Sequence, residues 1–123
     1  MIENGDGTMT QPGFHVDVRG PAEGILILDL RGEITALGEE ALFAAHHAAG
    51  RQTRVLVLNL GDVRSIDSAG AGLLIALQAR AQTQKQRLLA YGLSEPCRQA
   101  FASTYLDTVV GLYPDEVTAL RGL

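Results

Sequence analysis

Apolar and polar residues alternate over Phe14 to Val18, "FHVDV", the pattern of a short half-buried strand. A turn at "RGPAEG" follows. "ILILDL", Ile25 to Leu30, is nearly continuous in apolar character, so it reads as a more buried strand and as the hairpin partner of the first. The period then lengthens. In "GEITALGEEALFAAHHAAG" the residues Leu37, Ala41, Ala44, Ala45 and Ala48 recur at helical spacing, with Glu39 and Glu40 near the start and Gly50 placed to end the helix. "TRVLVLNL", Thr53 to Leu60, has the β-rich continuity of a central parallel strand. In the next helix Leu73, Leu74, Leu77 and Ala81 share a face, and Gln78, Arg80, Gln82 and Gln84 supply much of the polar side. "RLLAYGL" is a further strand. "SEPCRQAFAST" opens a helix, with Ser94 as N-cap and Pro96 in the first turn. "DTVVGLY" predicts a short strand and "PDEVTALRGL" a short terminal helix. The order β-β-α-β-α-β-α-β-α predicts an α/β fold: a mostly parallel central sheet of about five strands, with an N-terminal hairpin strand and about four covering helices.

Length and composition narrow this picture. A chain of 123 residues fits one domain, expected over residues 14–123 after a loose, polar, glycine-bearing tail at 1–13. With 46% hydrophobic and 20% charged residues, there is enough apolar material for a core. The net charge of −4 and the lack of any lysine/arginine block argue against direct nucleic-acid binding. Cys97 is the single cysteine, which excludes a disulfide framework and a cysteine-based zinc site; it reads as a small buried apolar residue. No apolar h-region or membrane-length apolar run is present, so a soluble, cytoplasmic protein without membrane insertion is expected.

The stretch "SIDSAGAGLL", Ser65 to Leu74, is where chemistry concentrates. Ser68 falls where a helix N-cap is expected, its oxygen accepting a first-turn N–H. Gly70 and Gly72 weaken the helix by about 1 kcal/mol each relative to alanine. They also remove side chains, so that something outside approaches the backbone. A helix N-terminus tolerates negative charge, so the turn suits an anion or a modified serine. On residue chemistry alone, ordinary capping is the favoured reading of Asp67 and Ser68; the glycines are the part that capping does not need.

Enzyme readings fail on spacing. The serine of "SAGAG" lies outside a G-x-S-x-G frame, and neither G-x-G-x-x-G nor a P-loop occurs. His46 and His47 are adjacent on the predicted helix, about 100° apart, the wrong geometry for two metal ligands on one face, and His15 stands alone. No paired carboxylates emerge as acid and base. The expectation is therefore no enzyme, no catalytic residue, no metal and no cofactor.

"NLGDVRSIDSAGAGLL" resembles the signature of STAS domains, the anti-sigma factor antagonist family, in which a strand runs into D-S-[ST]-G-[LM]-G and then a helix. The upstream "LRGEIT" resembles the family's G-E-[LI]-D step. The resemblance extends from Phe14 to Leu123 in the order of elements. It implies a switch: the serine after the aspartate, Ser68, is phosphorylated by an anti-sigma factor that is a GHKL-type serine kinase. The unmodified protein binds that factor and frees the sigma factor. A PPM-type, metal-dependent serine phosphatase resets the phosphorylated form. The partner-binding residues it implies are Glu33, Asp67, Ser68, Ala69, Gly70, Ala71 and Gly72.

Three positions depart from the pattern. Ala69 replaces the usual second hydroxyl and so removes a competing phosphosite. Ala71 replaces a leucine or methionine that offers a partner an apolar knob. Thr35 stands where the G-E-L-D step has aspartate, while Glu33 is retained. In this reading both glycines open the helix start to a kinase, and Asp62 lies near Ser68. The alternative is a non-switching STAS subunit of a stressosome-like assembly or of a lipid-transport ABC system.

Overall fold

In the computed structural model the described residues are 9–11, 13–121 and 123. The strands are β1 (Met9–Gln11), β2 (Phe14–Ala22), β3 (Ile25–Ile34), β4 (Val55–Ile66), β5 (Arg87–Tyr91) and β6 (Gly111–Tyr113). The helices are α1 (Glu39–Ala49), α2 (Ser68–Thr83), α3 (Glu95–Ser103) and α4 (Glu116–Arg121). The strands lie in the sheet in sequence order. β2 runs antiparallel to both β1 and β3, and β3 to β6 are mutually parallel. The expected hairpin and parallel sheet are both present. β1 falls within the segment read as a loose tail and adds one short strand at the sheet edge. The rest of that segment, residues 1–8 and 12, lies outside the described residues.

The alternation of β2 and the continuity of β3 and β4 reflect what covers them. One sheet face packs Phe14, Val16, Leu28, Leu30, Leu56, Leu58 and Leu60 against α1, α2 and α3, through Leu42, Leu74, Leu77 and Phe101 among others. The other face packs Ile27, Val55, Val57, Leu89 and Tyr91 under Ala119 of α4. Strands covered on both faces carry no polar period, which is why the first part of β4, Val55 to Leu58, is apolar throughout. Burying each such leucine or isoleucine stabilises the fold by about 1.5–3 kcal/mol against solvent exposure.

Two local readings change. α1 buries Ala41, Leu42, Ala45 and His46, whereas Ala44, Ala48 and Leu37 are exposed, so its core face is rotated from the expected one. Alanine spacing misled because a helix rich in alanine fits several faces; Leu42 decides. β4 continues to Ile66 instead of ending at Leu60, because β3, ten residues long, pairs along the whole of its twelve through two register shifts, ending at Ile34 beside Ile66. Cys97 is buried, as expected, with its Sγ 3.7 Å from the Val63 carbonyl oxygen. His46 is buried and its Nε2 lies 2.9 Å from Gln86 Oε1, a structural tie between α1 and the start of β5, while His47 is exposed. Among the described residues, no helix is long and apolar enough to cross a membrane.

Candidate functional site

The long parallel pair β3–β4 carries the chain to the C-terminal end of these strands and releases it there into α2. Ile34 is the last residue of β3, in register with Ile66, and Glu33 is in register with Ser65. The Asp67 N–H donates to the Ile34 carbonyl at 3.2 Å, so the junction between β4 and α2 is fastened to the end of β3. This brings Glu33, which is exposed, to the same end of the sheet as the first turn of α2. Thr35, next along the chain, accepts a hydrogen bond from the Leu37 N–H at 3.2 Å and caps a 3-10 turn, Ala36–Gly38. An aspartate does the same capping, which accounts for threonine in its place.

The helix cap is Asp67, not Ser68. Asp67 is extended, and its carboxylate accepts the Gly70 N–H at 2.7 Å. Ser68 is then the first helical residue. Its side chain is exposed, and among the described residues nothing holds its hydroxyl by a hydrogen bond. The misreading is one position wide and follows from chemistry: aspartate and serine cap about equally well, so sequence cannot rank them when adjacent. The correction matters, because a capping hydroxyl is occupied and this one is not.

The glycines separate. Gly70 is buried, and a Cβ there would stand 1.9 Å from the Ile34 carbonyl oxygen and 2.6 Å from its carbon. It exists so that α2 can sit directly on the backbone of β3, not to admit a partner. Gly72 is exposed, and a Cβ there would meet nothing within 4 Å. Ala71 is buried at 4% exposure, so its side chain faces the core and offers a partner no contact; a leucine or methionine knob is absent from a position that here points inward. Ala69 is exposed beside Ser68. The surface of the turn is therefore Asp67, Ser68, Ala69 and Gly72, with Glu33 at the neighbouring strand end. Asp62 is not adjacent: it is in register with Arg31, roughly 13 Å back along the strand from Ile66 at about 3.3 Å per residue.

A second polar cluster was not legible in the sequence. Arg19 bonds both Asp29 oxygens and, at 2.8 Å, Glu116; Tyr91 donates to Glu116 at 2.8 Å; Asn59 donates to Asp29 at 2.7 Å. Burial alone pushes the Asp29 carboxyl up, but the hydrogen bonds from Arg19 and Asn59 outweigh it and hold the group below its usual range. Arg19, then Tyr91, holds Glu116 low; burial, then the Glu116 carboxylate, pushes the Tyr91 phenol up. The cluster joins β2, β3, β4 and β5 to α4 and has no free nucleophile, so it serves as a clasp for the last helix. Its members are spread over 97 positions of sequence separation, and no local pattern announces them. Among the described residues no group of histidine, cysteine, aspartate and glutamate is arranged to hold a metal ion.

The family described as "Mlab, STAS domain" matches residues 22–113. No curated protein sequence matches the chain significantly. Among solved structures, an anti-sigma factor antagonist from Mycobacterium paratuberculosis aligns with a TM-score of 0.76 at 24% identity, over 89% of this chain and 92% of that one. The Bacillus cell fate determinant SpoIIAA in its phosphorylated form aligns with a TM-score of 0.69 at 17% identity, over 88% and 99%. A sulfate transporter family protein from Wolinella succinogenes aligns with a TM-score of 0.75 at 19% identity, over 85% and 88%. At these identities the likeness carries the fold.

Proposed function

This chain belongs to the STAS domain family, and on that premise we propose that it is an anti-sigma factor antagonist switched by phosphorylation of Ser68. The unmodified protein binds an anti-sigma factor of the GHKL serine-kinase type and so releases a sigma factor. The kinase transfers the γ-phosphoryl group of ATP to the Ser68 hydroxyl, with loss of the hydroxyl proton and release of ADP. A PPM-type phosphatase hydrolyses the ester and restores the binding form. The chain acts as substrate and ligand and performs no catalysis of its own.

The observation that carries this reading is the exposed, unbonded hydroxyl of Ser68 at the first position of α2, immediately after an aspartate that already caps the helix. Phosphorylation therefore breaks no existing hydrogen bond. It adds about −1.5 to −2 charges at neutral pH. The N-terminus of a sixteen-residue helix favours that charge by about 0.3–1 kcal/mol. Asp67 opposes it, since two unit charges about 5 Å apart repel by about 1–3 kcal/mol at effective dielectrics between 80 and 20. The fold survives such a balance. A partner that buries both charges does not, and each 1.4 kcal/mol lost is about tenfold in affinity.

A second reading is favoured by two of the comparisons: the family description names Mlab, and a sulfate transporter family protein shares the fold. In it the chain is a non-switching STAS subunit of a larger assembly, such as a stressosome-like scaffold or a lipid-transport ABC system. Capture from the source cells with wild-type and Ser68→Asp baits separates the two. The switch predicts a serine kinase on the wild-type bait that is lost on Ser68→Asp. A transport ATPase or scaffold retained equally on both baits overturns it.

A further inference from the structure

The end of the sheet opposite Ser68 has a different character. Here the β2–β3 turn at Glu23 and Gly24, the α1–β4 loop and the α2–β5 turn meet around two adjoining surface clefts of about 710 and 680 Å3. Arg51, Gln84 and Lys85 line both clefts; Arg54 lines the larger, and His47 the smaller. The volumes lie within the range of small-ligand sites, about 300–1,000 Å3. The frame is well fastened. Arg54 and Val55 donate their N–H groups to the Gly24 carbonyl at 2.7 and 3.0 Å, and Arg87 donates to the Arg54 carbonyl at 2.9 Å.

Arg51, Arg54 and Lys85 are all exposed, and among the described residues none of the three is in an ion pair. Glu23 is the acid lining the larger cleft, and no acid lines the smaller. In a chain of net charge −4, three cations around shared space with Glu23 as the one acid in the lining make a positive patch. Helix C-termini attract cations, which accounts for Arg51 after α1 and Lys85 after α2 taken singly. It does not account for Arg54, which follows neither helix and leads into β4. Lys85 takes the left-handed conformation, φ 60°, just past the C-cap of α2, as Tyr105 does past that of α3, and glycine adopts that conformation without strain.

We infer that this end of the sheet is a binding site for a compact anion bearing more than one phosphoryl group. Arg51 and Arg54 supply planar forks that match phosphate oxygens in pairs, and Lys85 supplies a point charge. Because Arg51 and Lys85 stand on the wall common to both clefts, the fitting ligand straddles that wall with a phosphoryl group on each side. A single phosphate fills only one.

Isothermal titration calorimetry with sodium tripolyphosphate tests the site on the full chain. The expected result is saturable binding at one equivalent that weakens as salt is raised. Lys85→Gly and Arg51→Ala are each expected to weaken it by about tenfold, from loss of one charge-assisted contact. Arg64→Ala, which removes a cation from β4 near the other end of the sheet, is expected to leave it unchanged. Lys85→Gly guards against misfolding as an explanation, since glycine accepts the φ of that turn and the melting temperature is expected to hold or rise. Flotation with phosphatidylglycerol vesicles, against phosphatidylcholine vesicles, identifies the source of the anion. Binding to the former that tripolyphosphate displaces points to lipid headgroups, and no binding to either points to a soluble phosphate compound. Absence of saturable tripolyphosphate binding overturns the inference, as does equal weakening by Arg64→Ala, or full retention in both Lys85→Gly and Arg51→Ala. In those cases the cations serve the helix ends alone.

Discussion

Gly70 and Gly72 are two residues apart in one helical turn, and they face opposite worlds. Gly70 is pressed against the carbonyl of Ile34 with no room for a methyl group, whereas Gly72 looks onto open space. The first belongs to the fold: it sets how closely α2 rests on the end of β3, and thereby where Asp67 and Ser68 emerge. The second meets nothing among the described residues. A glycine that weakens a helix without any internal reason is the part of this turn that calls for an external one. The same division runs through the neighbours, with Ala71 inside and Ser68 and Ala69 outside.

Substitutions that cross this division are expected to behave in a graded way. Gly70→Ala has the largest effect on stability. The new methyl group meets backbone, which has no rotamer to give, and overpacking of this kind costs about 1–3 kcal/mol. Chemical denaturation is expected to show that loss. Wild-type stability in the Gly70→Ala protein contradicts the close approach of α2 to Ile34. Asp67→Ala comes next, at about 0.5–2 kcal/mol for a lost N-cap, read from the same denaturation curves.

Gly72→Ala is expected to act in the opposite direction, stabilising by up to about 1 kcal/mol because alanine forms helix better and touches nothing here. Gly72→Val, with a bulkier side chain in the same open space, is expected to keep the protein folded while weakening the kinase partner or slowing phosphorylation. Melting temperature measured beside partner affinity shows whether stability and binding part company. If both stay at wild-type values in Gly72→Val, the outer face of the turn has no docking role. Ser68→Ala is expected to change stability least, within about 0.5 kcal/mol, because it removes neither a cap nor a contact. A loss near that of Asp67→Ala overturns the assignment of the cap.

Much of the architecture is legible in the chain because its signals are local. The alternation at Phe14–Val18, the apolar runs of β3 and β4, and the Ser94–Pro96 helix start each announce an element within a few residues. What is hidden depends on what lies across the fold. The continuation of β4 to Ile66 needs β3 beside it as far as Ile34. The core face of α1 is masked by its alanines. The cap of α2 turns on which of two adjacent capping residues has the extended backbone, a property that the length of β4 decides. At the site, the acidic step at Glu33 and the D-S-x-G-x-G run are recognisable as motifs. That one glycine is structural and the other free depends on the position of Ile34, thirty-six residues upstream of Gly70. The clasp of Arg19, Asp29, Tyr91 and Glu116 is invisible for the same reason.

The account rests on Ser68 being the residue that changes state, and mapping by mass spectrometry of protein isolated from its own cells tests that most directly. The prediction is a single phosphoryl group on Ser68 in part of the population, absent from the Ser68→Ala protein expressed in its place. Phosphate on Ser65 or Thr35, or retained by the Ser68→Ala protein, contradicts it, as does a population with no phosphate at any growth stage.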